Sequence, residues 1–177
     1  GIGLIVGGMF NPAISVARLM MGAHREVTAC ARNPDMDTPY LLRCRFDLLG
    51  RDDAGWYFIE TKSTRDASTI AFSYEIRKRK YHAQAAHYKR ILDLLTGGDC
   101  RGYIIAIEKD AQAPRVNVRQ LTKLALEDGA QIVDDRLKLL RRCRLANKWP
   151  ALADDEGSEH IQMIGLPDEG DDEITAS

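Results

Sequence analysis

The amino-acid sequence predicts an α/β sandwich built on a central mixed sheet. Runs of aromatic and β-branched residues, which are typical of strands, lie between and beside stretches with the periodicity of amphipathic helices. The predicted order is a helix, three strands, a helical region, one or two strands and a last helix. This order is typical of helices packed on the faces of one sheet.

The first predicted elements are one helix and three strands. Residues 12–22 have Pro near the start and Gly at the end of an apolar pattern, which predicts the helix. Residues 25–31, 40–49 and 56–61 have strand composition. Turn-forming residues at 50–55 join the last two strands, and we expect a hairpin-like pair there.

The second half of the chain alternates helices and strands. Asp66 or Ser68 can cap the first helix of this half. Residues 101–108 form an apolar run of the kind found in strands buried on both faces. The other predicted elements are a helix, a short strand and a long helix at residues 81–95, 114–118 and 120–145.

Charge is distributed unevenly along the chain. The last residues, from Asp154 onward, include nine acidic residues and no Lys or Arg, which leaves 17 acids and 25 bases in residues 1–153. We interpret 1–153 as the folded domain, with a net charge of about +8, and 154–177 as an acidic, flexible tail. A basic body suits a polyanionic partner such as DNA, although acidic tails are also common as solubilising ends.

The cysteine spacing and the first 17 residues limit which classes of protein the chain can belong to. The four cysteines form no CxxC pair, so the spacing supports neither a zinc site nor a disulfide framework and favours a reducing cytoplasm. Residues 1–17 are short for a membrane span and lack the basic start of a signal peptide. We therefore expect a cytoplasmic protein with no membrane partner.

The residues around the predicted hairpin suggest a site for a divalent cation. Strand alternation places Glu60 and Lys62 on one face, and the hairpin brings Asp47 beside them. Two carboxylates supply the hard oxygen ligands that Mg²⁺ prefers, and a nearby lysine can position water and offset negative charge. A surface hairpin with an ordinary salt bridge is the alternative interpretation.

The helix predicted from residue 81 has a polar residue on its apolar face. Tyr81, Gln84, Tyr88, Leu92 and Leu95 fall on one side of the helix, and we expect most of this stripe to be core. A buried amide needs hydrogen-bond partners, so Gln84 is either a satisfied structural residue or part of a site. The basic run at 77–80 is either a solvated helix face or a contact for DNA phosphates.

Four segments in this order resemble the PD-(D/E)xK nuclease superfamily, and within it the RecE-like (exonuclease VIII type) phage recombination exonucleases. The segments are Arg45–Asp47, Ile59–Thr64, Asp66–Ser68 and Tyr81–Tyr88, and residues 143–167 resemble the C-terminal end of that family. The resemblance implies a restriction-endonuclease-like αβββαβ sandwich. It also implies a Mg²⁺- or Mn²⁺-dependent exonuclease that degrades one strand of linear duplex DNA from the 5′ end, in phage-type recombination or repair.

The resemblance also implies roles for individual residues. Asp47 and Glu60 match the metal-binding acids, the carbonyl of Thr61 matches the backbone ligand, and Lys62 matches the catalytic lysine. Gln84 and Tyr88 match a helix motif that supports the site and touches DNA. The implied partners are double-stranded DNA ends, a single-strand annealing protein and further copies of the chain.

One part of the family pattern is missing from this sequence. The family usually has another ligand, a His or Glu, on a helix well before the aspartate. Here the nearest candidates, His24 and Glu26, fall at or in the first predicted strand. Either the family's N-terminal segment is missing from this chain or the metal shell is incomplete, and the second case predicts a nuclease-like DNA-binding module without catalysis. A related endonuclease is a further alternative.

Overall fold

A computed structural model of the chain describes residues 19–34, 41–109, 112 and 114–149. Its five strands form one sheet in sequence order. They are β1 (His24–Arg32), β2 (Leu41–Asp52), β3 (Gly55–Thr64), β4 (Arg101–Glu108) and β5 (Val116–Gln120). The helices are α1 (Thr69–Lys78), α2 (Tyr81–Thr96) and α3 (Lys123–Ala146).

The sheet is mixed, as predicted. β3 and β4 pair in parallel, and every other neighbouring pair of strands is antiparallel. A parallel pair needs a crossover, and α1 and α2 supply it between β3 and β4. Four consecutive residues of β4, Tyr103 to Ala106, are buried, which fits the apolar run seen in the sequence. The predicted α/β class with a restriction-endonuclease-like sheet is confirmed.

Several element boundaries differ from those predicted. The turn between β2 and β3 is only Asp53 and Ala54, because both strands extend into the region predicted as turn. The carboxylate of Asp52 accepts the Ala54 N–H at 2.9 Å and Gly55 has a φ of 109°, which together close this tight hairpin. Of the helix predicted at 12–22, residues 19 and 20 are helical, and residues 12–18 lie outside the described part.

Aromatic residues from β2 and β3 pack against α2. The rings of Phe46 and Phe58 are fully buried with their centroids 5.4 Å apart, and Ile91 and Leu92 of α2 lie in the same cluster. Leu95 was predicted to belong to the core stripe of this helix, and that prediction is wrong, since its residue is 53% exposed. It falls in the last turn of α2, beyond the part of the helix that is buried.

The chain divides into two compact units, residues 1–138 and 139–177. In the second unit, the described residues contain the end of α3, which closes with Asn147 in the left-handed conformation and a hydrogen bond from the Lys148 N–H to the Cys143 carbonyl. The predicted division after residue 153, and the acidic tail, fall outside the described residues. Among the described helices, none combines the length and the apolar run needed to cross a lipid bilayer.

Candidate active site where two strands diverge

The strands β2 and β3 separate at the position of Asp47 and Glu60. Their ladder joins Leu48–Asp52 to residues 55–59 and stops there. Before Leu48, β2 pairs only with β1, and after Ile59, β3 pairs only with β4. Backbone groups on the facing edges of the two strands therefore lose their strand partners at this point and need others.

Side chains of Asp47 and Glu60 bridge the two strands where the ladder has ended. The Asp47 Oδ2 atom accepts the Thr61 N–H at 2.7 Å, and the Glu60 Oε1 atom accepts the Asp47 N–H at a longer 3.3 Å. The N–H and C=O groups of a strand residue point toward the same neighbour. The Thr61 carbonyl therefore faces the gap that opens between β2 and β3, as the Asp47 carboxylate does.

The regular alternation of β2 breaks at Asp47. Phe46 packs in the cluster that includes α2, whereas Leu48, two residues later, packs in the cluster of Ile59 and Tyr103 on the other face. Across from Asp47 in β1, Glu26 has a φ of 54°, a left-handed conformation that is uncommon for a residue with a side chain. Because of this irregularity in both strands, Asp47 points toward neither packed face of the sheet, and its carboxylate is directed to the gap between β2 and β3.

Glu60 is a buried carboxylate with two side-chain donors on one oxygen. Its residue is 3% exposed, and its Oε2 atom accepts hydrogen bonds from Lys62 Nζ at 3.0 Å and Gln84 Nε2 at 2.9 Å. Burial raises the pKa of Glu60 above its usual range, Lys62 partly lowers it, and the negative charge of Asp47 raises it again. A cation next to both carboxylates would relieve this cost.

The ammonium group of Lys62 is held from two sides. On one side lies Glu60, and on the other the Nζ atom lies 5.2 Å from the centre of the Tyr81 ring, within range of a cation–π interaction. Tyr81 opens α2 directly after Lys80, whose φ of 59° separates α1 from α2. Sequence reasoning placed Tyr81 in a core stripe and missed this contact, although its spacing of three from Gln84 put both on one helix face.

Tyr88 supports the site from behind rather than touching the carboxylates. Its ring packs on Phe46 and Phe58, with centroids 5.4 and 6.0 Å away. Each of these phenylalanines lies within two residues of a site carboxylate. The Tyr88 hydroxyl makes no hydrogen bond with any described residue. The structure thus brings Asp47, Glu60, Lys62 and Gln84 together and leaves Tyr88 one layer away.

The donor atoms at the gap fit a divalent cation. They are hard oxygens from Asp47, Glu60 and the Thr61 carbonyl, and Mg²⁺ is commonly held by one or two carboxylates with water and substrate phosphate completing the shell. Within the described ranges, no three His, Cys, Asp or Glu side chains are grouped to hold a metal ion. Any further ligand from this part of the chain would therefore be an oxygen other than that of a third grouped carboxylate.

Neither candidate for a third ligand joins the two acids. Glu26 lies across from Asp47, but its carboxylate pairs with Arg45 Nε at 2.5 Å, and both side chains are more than half exposed. His24 lies farther along β1, opposite Leu49. The β1 strand therefore passes beside the site without adding a side chain to it.

The chain is similar to known proteins in family and in fold. Residues 13–164 match a family described as "PDDEXK-like domain of unknown function (DUF3799)". The crystal structure of a protein from Eubacterium rectale named "Putative exonuclease" is similar to the chain with a TM-score of 0.60 and 15% sequence identity, over 86% of this chain and 57% of that chain. At this identity the likeness shows a shared fold, and the chain spans little more than half of that protein.

The crystal structure of SSO0001 is also similar, with a TM-score of 0.38 and 18% identity, over 67% of this chain and 52% of that one. No curated protein matches the chain.

Proposed function

The chain belongs to the family of PDDEXK-like domains, and from that membership we propose that it is a divalent-metal-dependent nuclease that hydrolyses phosphodiester bonds in DNA. The observation that carries the proposal is the convergence of Lys62 Nζ and Gln84 Nε2 on one oxygen of Glu60, beside Asp47. Burying a carboxylate costs free energy, and a surface hairpin gains nothing that offsets this cost. A bound cation would offset it.

The cation and the side chains have separate tasks in this proposal. Asp47, Glu60 and the Thr61 carbonyl would hold a Mg²⁺ or Mn²⁺ ion, which when bound would supply Lewis acidity to polarise a phosphate and lower the pKa of water. Gln84 fixes the orientation of the Glu60 carboxylate, because its amide donates to the Oε2 atom.

Lys62 acts on the substrate side of the site. Its ammonium is fixed by Glu60 and by the Tyr81 ring, so it needs little reorganisation to meet a phosphate. In that position it orients the attacking water and offsets the negative charge that develops on the phosphate oxygens. Tyr88 holds the two strands in place through Phe46 and Phe58, and its hydroxyl, which bonds to no described residue, contacts DNA.

We propose that the substrate is an end of double-stranded DNA, degraded from 5′ to 3′ in phage-type recombination or repair. This finer assignment depends on the RecE-like resemblance of residues 45–47, 59–64 and 81–88, and the name of the Eubacterium rectale protein agrees with exonuclease action. On the same ground we propose a homo-oligomer that works with a single-strand annealing protein. Closed circular DNA separates this proposal from an endonuclease, because an exonuclease needs an end.

The test is cleavage of end-labelled linear duplex DNA in the presence of Mg²⁺. Replacing Glu60 and Lys62 together by alanine should lower the rate by at least about 10²-fold, since groups that stabilise developing charge have effects of this size. The matched control replaces Glu127 and Lys123, an exposed pair on α3 with 3.7 Å between its charged atoms. That control should cleave at the unaltered rate, and equal loss in both double variants contradicts the proposal.

A catalytically impaired DNA-binding module is the second candidate. The observation that favours it is that the described residues contribute only two acids to the gap. It predicts DNA binding that weakens with salt and no cleavage with Mg²⁺, Mn²⁺ or Ca²⁺. Any product ladder that depends on metal and on Glu60 rejects it.

A further inference from the structure

A cleft opens next to Lys62, and Asp47 is not among the residues that line it. Its volume is about 610 Å³, and its walls come from the end of β3, from α1, from the start of α2 and from the residue after β4. Thr61, Lys62 and Tyr81 of the candidate site line it. A molecule in the cleft is therefore in contact with the candidate site itself.

Three cations in the cleft form no ion pair within the part of the chain that the structure describes. Arg65, Lys78 and Lys109 all line it, and none of them makes an ion pair with a described residue. They come from three separate elements: the loop after β3, the last residue of α1 and the residue after β4. The backbone hydrogen bond from Lys109 N to the Thr64 carbonyl, 2.9 Å long, places Lys109 beside Arg65.

The two acids of the cleft are already bound to arginines. Glu75 pairs with Arg79 at 2.5 Å, and Asp66 pairs with Arg115 at 3.0 Å while also accepting the Ser68 N–H at 2.7 Å. Neither acid forms an ion pair with the other three cations, although the charge of Lys78 also lowers the pKa of Glu75. The cleft therefore has positive charge to spare, and it needs an anion from outside this part of the chain.

We propose that this cleft holds the phosphate backbone of the DNA strand that enters the candidate site, through Arg65, Lys78 and Lys109. The proposal rests on the proposed nuclease function for the identity of the ligand. One strand of duplex DNA carries a charge about every 3.4 Å along the axis, so it offers several successive phosphates to cations that come from three separate elements.

The test measures DNA binding without cleavage. A fluorescent short duplex is titrated with the full chain in EDTA over a range of KCl concentrations. The slope of log K against log salt is negative, and removing three phosphate contacts should reduce its magnitude by about 2.7. Two variants are compared, each with three cations replaced by alanine. The first replaces Arg65, Lys78 and Lys109. The charge-matched control replaces three cations of α3, namely Lys123, Arg136 and Lys138.

The outcomes separate the cleft from the other proposals. The proposal is supported if the magnitude of the slope falls by about 2.7 in the first variant and does not fall in the control. It is overturned if the first variant and the control have equal slopes, or if the unaltered chain does not bind the duplex. Single alanine variants, each expected to lose about 0.9 in slope, give the same answer if the triple variant does not fold. Inorganic phosphate or a mononucleotide that competes as well as the duplex at equal phosphate concentration also overturns it, in favour of a single-phosphate site.

Cleavage of the same duplex with Mg²⁺ is measured separately with the unaltered chain. If the unaltered chain cleaves the duplex and the two variants have equal slopes, the cleft proposal is rejected and the nuclease proposal is retained. The expected difference in slope without any cleavage supports the cleft and removes the nuclease proposal. The two failures are therefore distinguishable.

Discussion

The Asp47 carboxylate accepts the backbone N–H of Thr61 at 2.7 Å, across the point where β2 and β3 part. A side chain here takes the place of a strand partner. The contact ties the proposed acid of β2 to the residue between Glu60 and Lys62, so the positions of all three depend on it. The same carboxylate is thus both a structural acceptor and a proposed ligand.

The two roles of Asp47 can be separated by substitution. Asp47→Asn keeps an oxygen that can accept the Thr61 N–H but loses the charge. We expect Mg²⁺-dependent cleavage to fall by at least about 10²-fold, with a melting temperature close to that of the unaltered chain. Asp47→Ala also leaves the N–H without its acceptor and should lower the free energy of unfolding by about 1 kcal/mol. Full activity of the Asn variant would contradict the metal-ligand role.

Gln84 should act through Glu60 rather than on DNA. Gln84→Met removes the donor to Glu60 Oε2 at similar size, so we expect kcat/KM to fall about 10–100-fold and the Mg²⁺ concentration for half-maximal activity to rise. The matched control is Gln131→Met on α3, because Gln131 donates to Asp135 at the same 2.9 Å on an exposed surface. Steady-state rates over a Mg²⁺ series measure both, and an effect on KM for DNA alone would argue against this role.

Tyr88 tests packing against DNA contact. Tyr88→Phe keeps the ring against Phe46 and Phe58, so unfolding by urea should be unchanged within about 0.5 kcal/mol. If the hydroxyl touches DNA, as we propose, the Phe variant binds the duplex several-fold more weakly. Tyr88→Ala removes the ring and should cost about 2–4 kcal/mol of stability. Unchanged binding by the Phe variant would limit Tyr88 to packing.

Local patterns in the sequence predicted the fold class, the hairpin and the superfamily. Alternation along β3 placed Glu60 and Lys62 together, and that prediction is confirmed by their 3.0 Å contact. The resemblance to the PD-(D/E)xK superfamily is confirmed by the family match, while the RecE-like assignment stays a prediction. These features depend on residues close in sequence, or on motifs that other proteins share.

Features that depend on distant partners were not predictable in this way. At Asp47 the ladder between β2 and β3 stops, while β2 stays paired with β1 and β3 with β4, whose residues lie more than 40 positions farther along the chain. Lys109 reaches the cleft beside Arg65 for the same reason. The basic run at 77–80 was visible, but only the fold shows that Lys78 and Arg79 face the cleft. Strand composition contains no information on which neighbour a strand keeps.

Glu108 should make stability depend on pH in the acid range. Its carboxylate accepts the Ala67 N–H at 3.0 Å and pairs with Arg115, which holds the loop between β3 and α1. The bonds from Arg115 and then from Ala67 lower the pKa of Glu108 from 4.5 to about 2. Because folding favours the charged form, this contribution is complete above pH 4.5 and is lost as the pH falls toward 2.

Glu108→Gln should therefore be less stable than the unaltered chain at neutral pH. The difference in free energy of unfolding should shrink as the pH falls from about 4.5 toward 2. Urea denaturation at a series of pH values measures it. Glu127→Gln, at an exposed ion pair, is the control and should show a small difference throughout. A difference for Glu108→Gln that does not change with pH would show that packing, rather than charge, accounts for it.

Gly129 lets α3 approach the backbone at the start of α2. A Cβ atom there would lie 2.3 Å from the His82 carbonyl oxygen and 3.0 Å from the Ala83 nitrogen, and backbone atoms cannot move aside cheaply. Alanine in a helix interior normally adds up to about 1 kcal/mol of stability over glycine. We expect the opposite sign for Gly129→Ala, a loss of about 1–3 kcal/mol in urea denaturation, because overpacking outweighs helix propensity. Gly98→Ala, with no atom closer than 4.0 Å, should change stability little, and a gain at Gly129 would show that the two helices are farther apart than described.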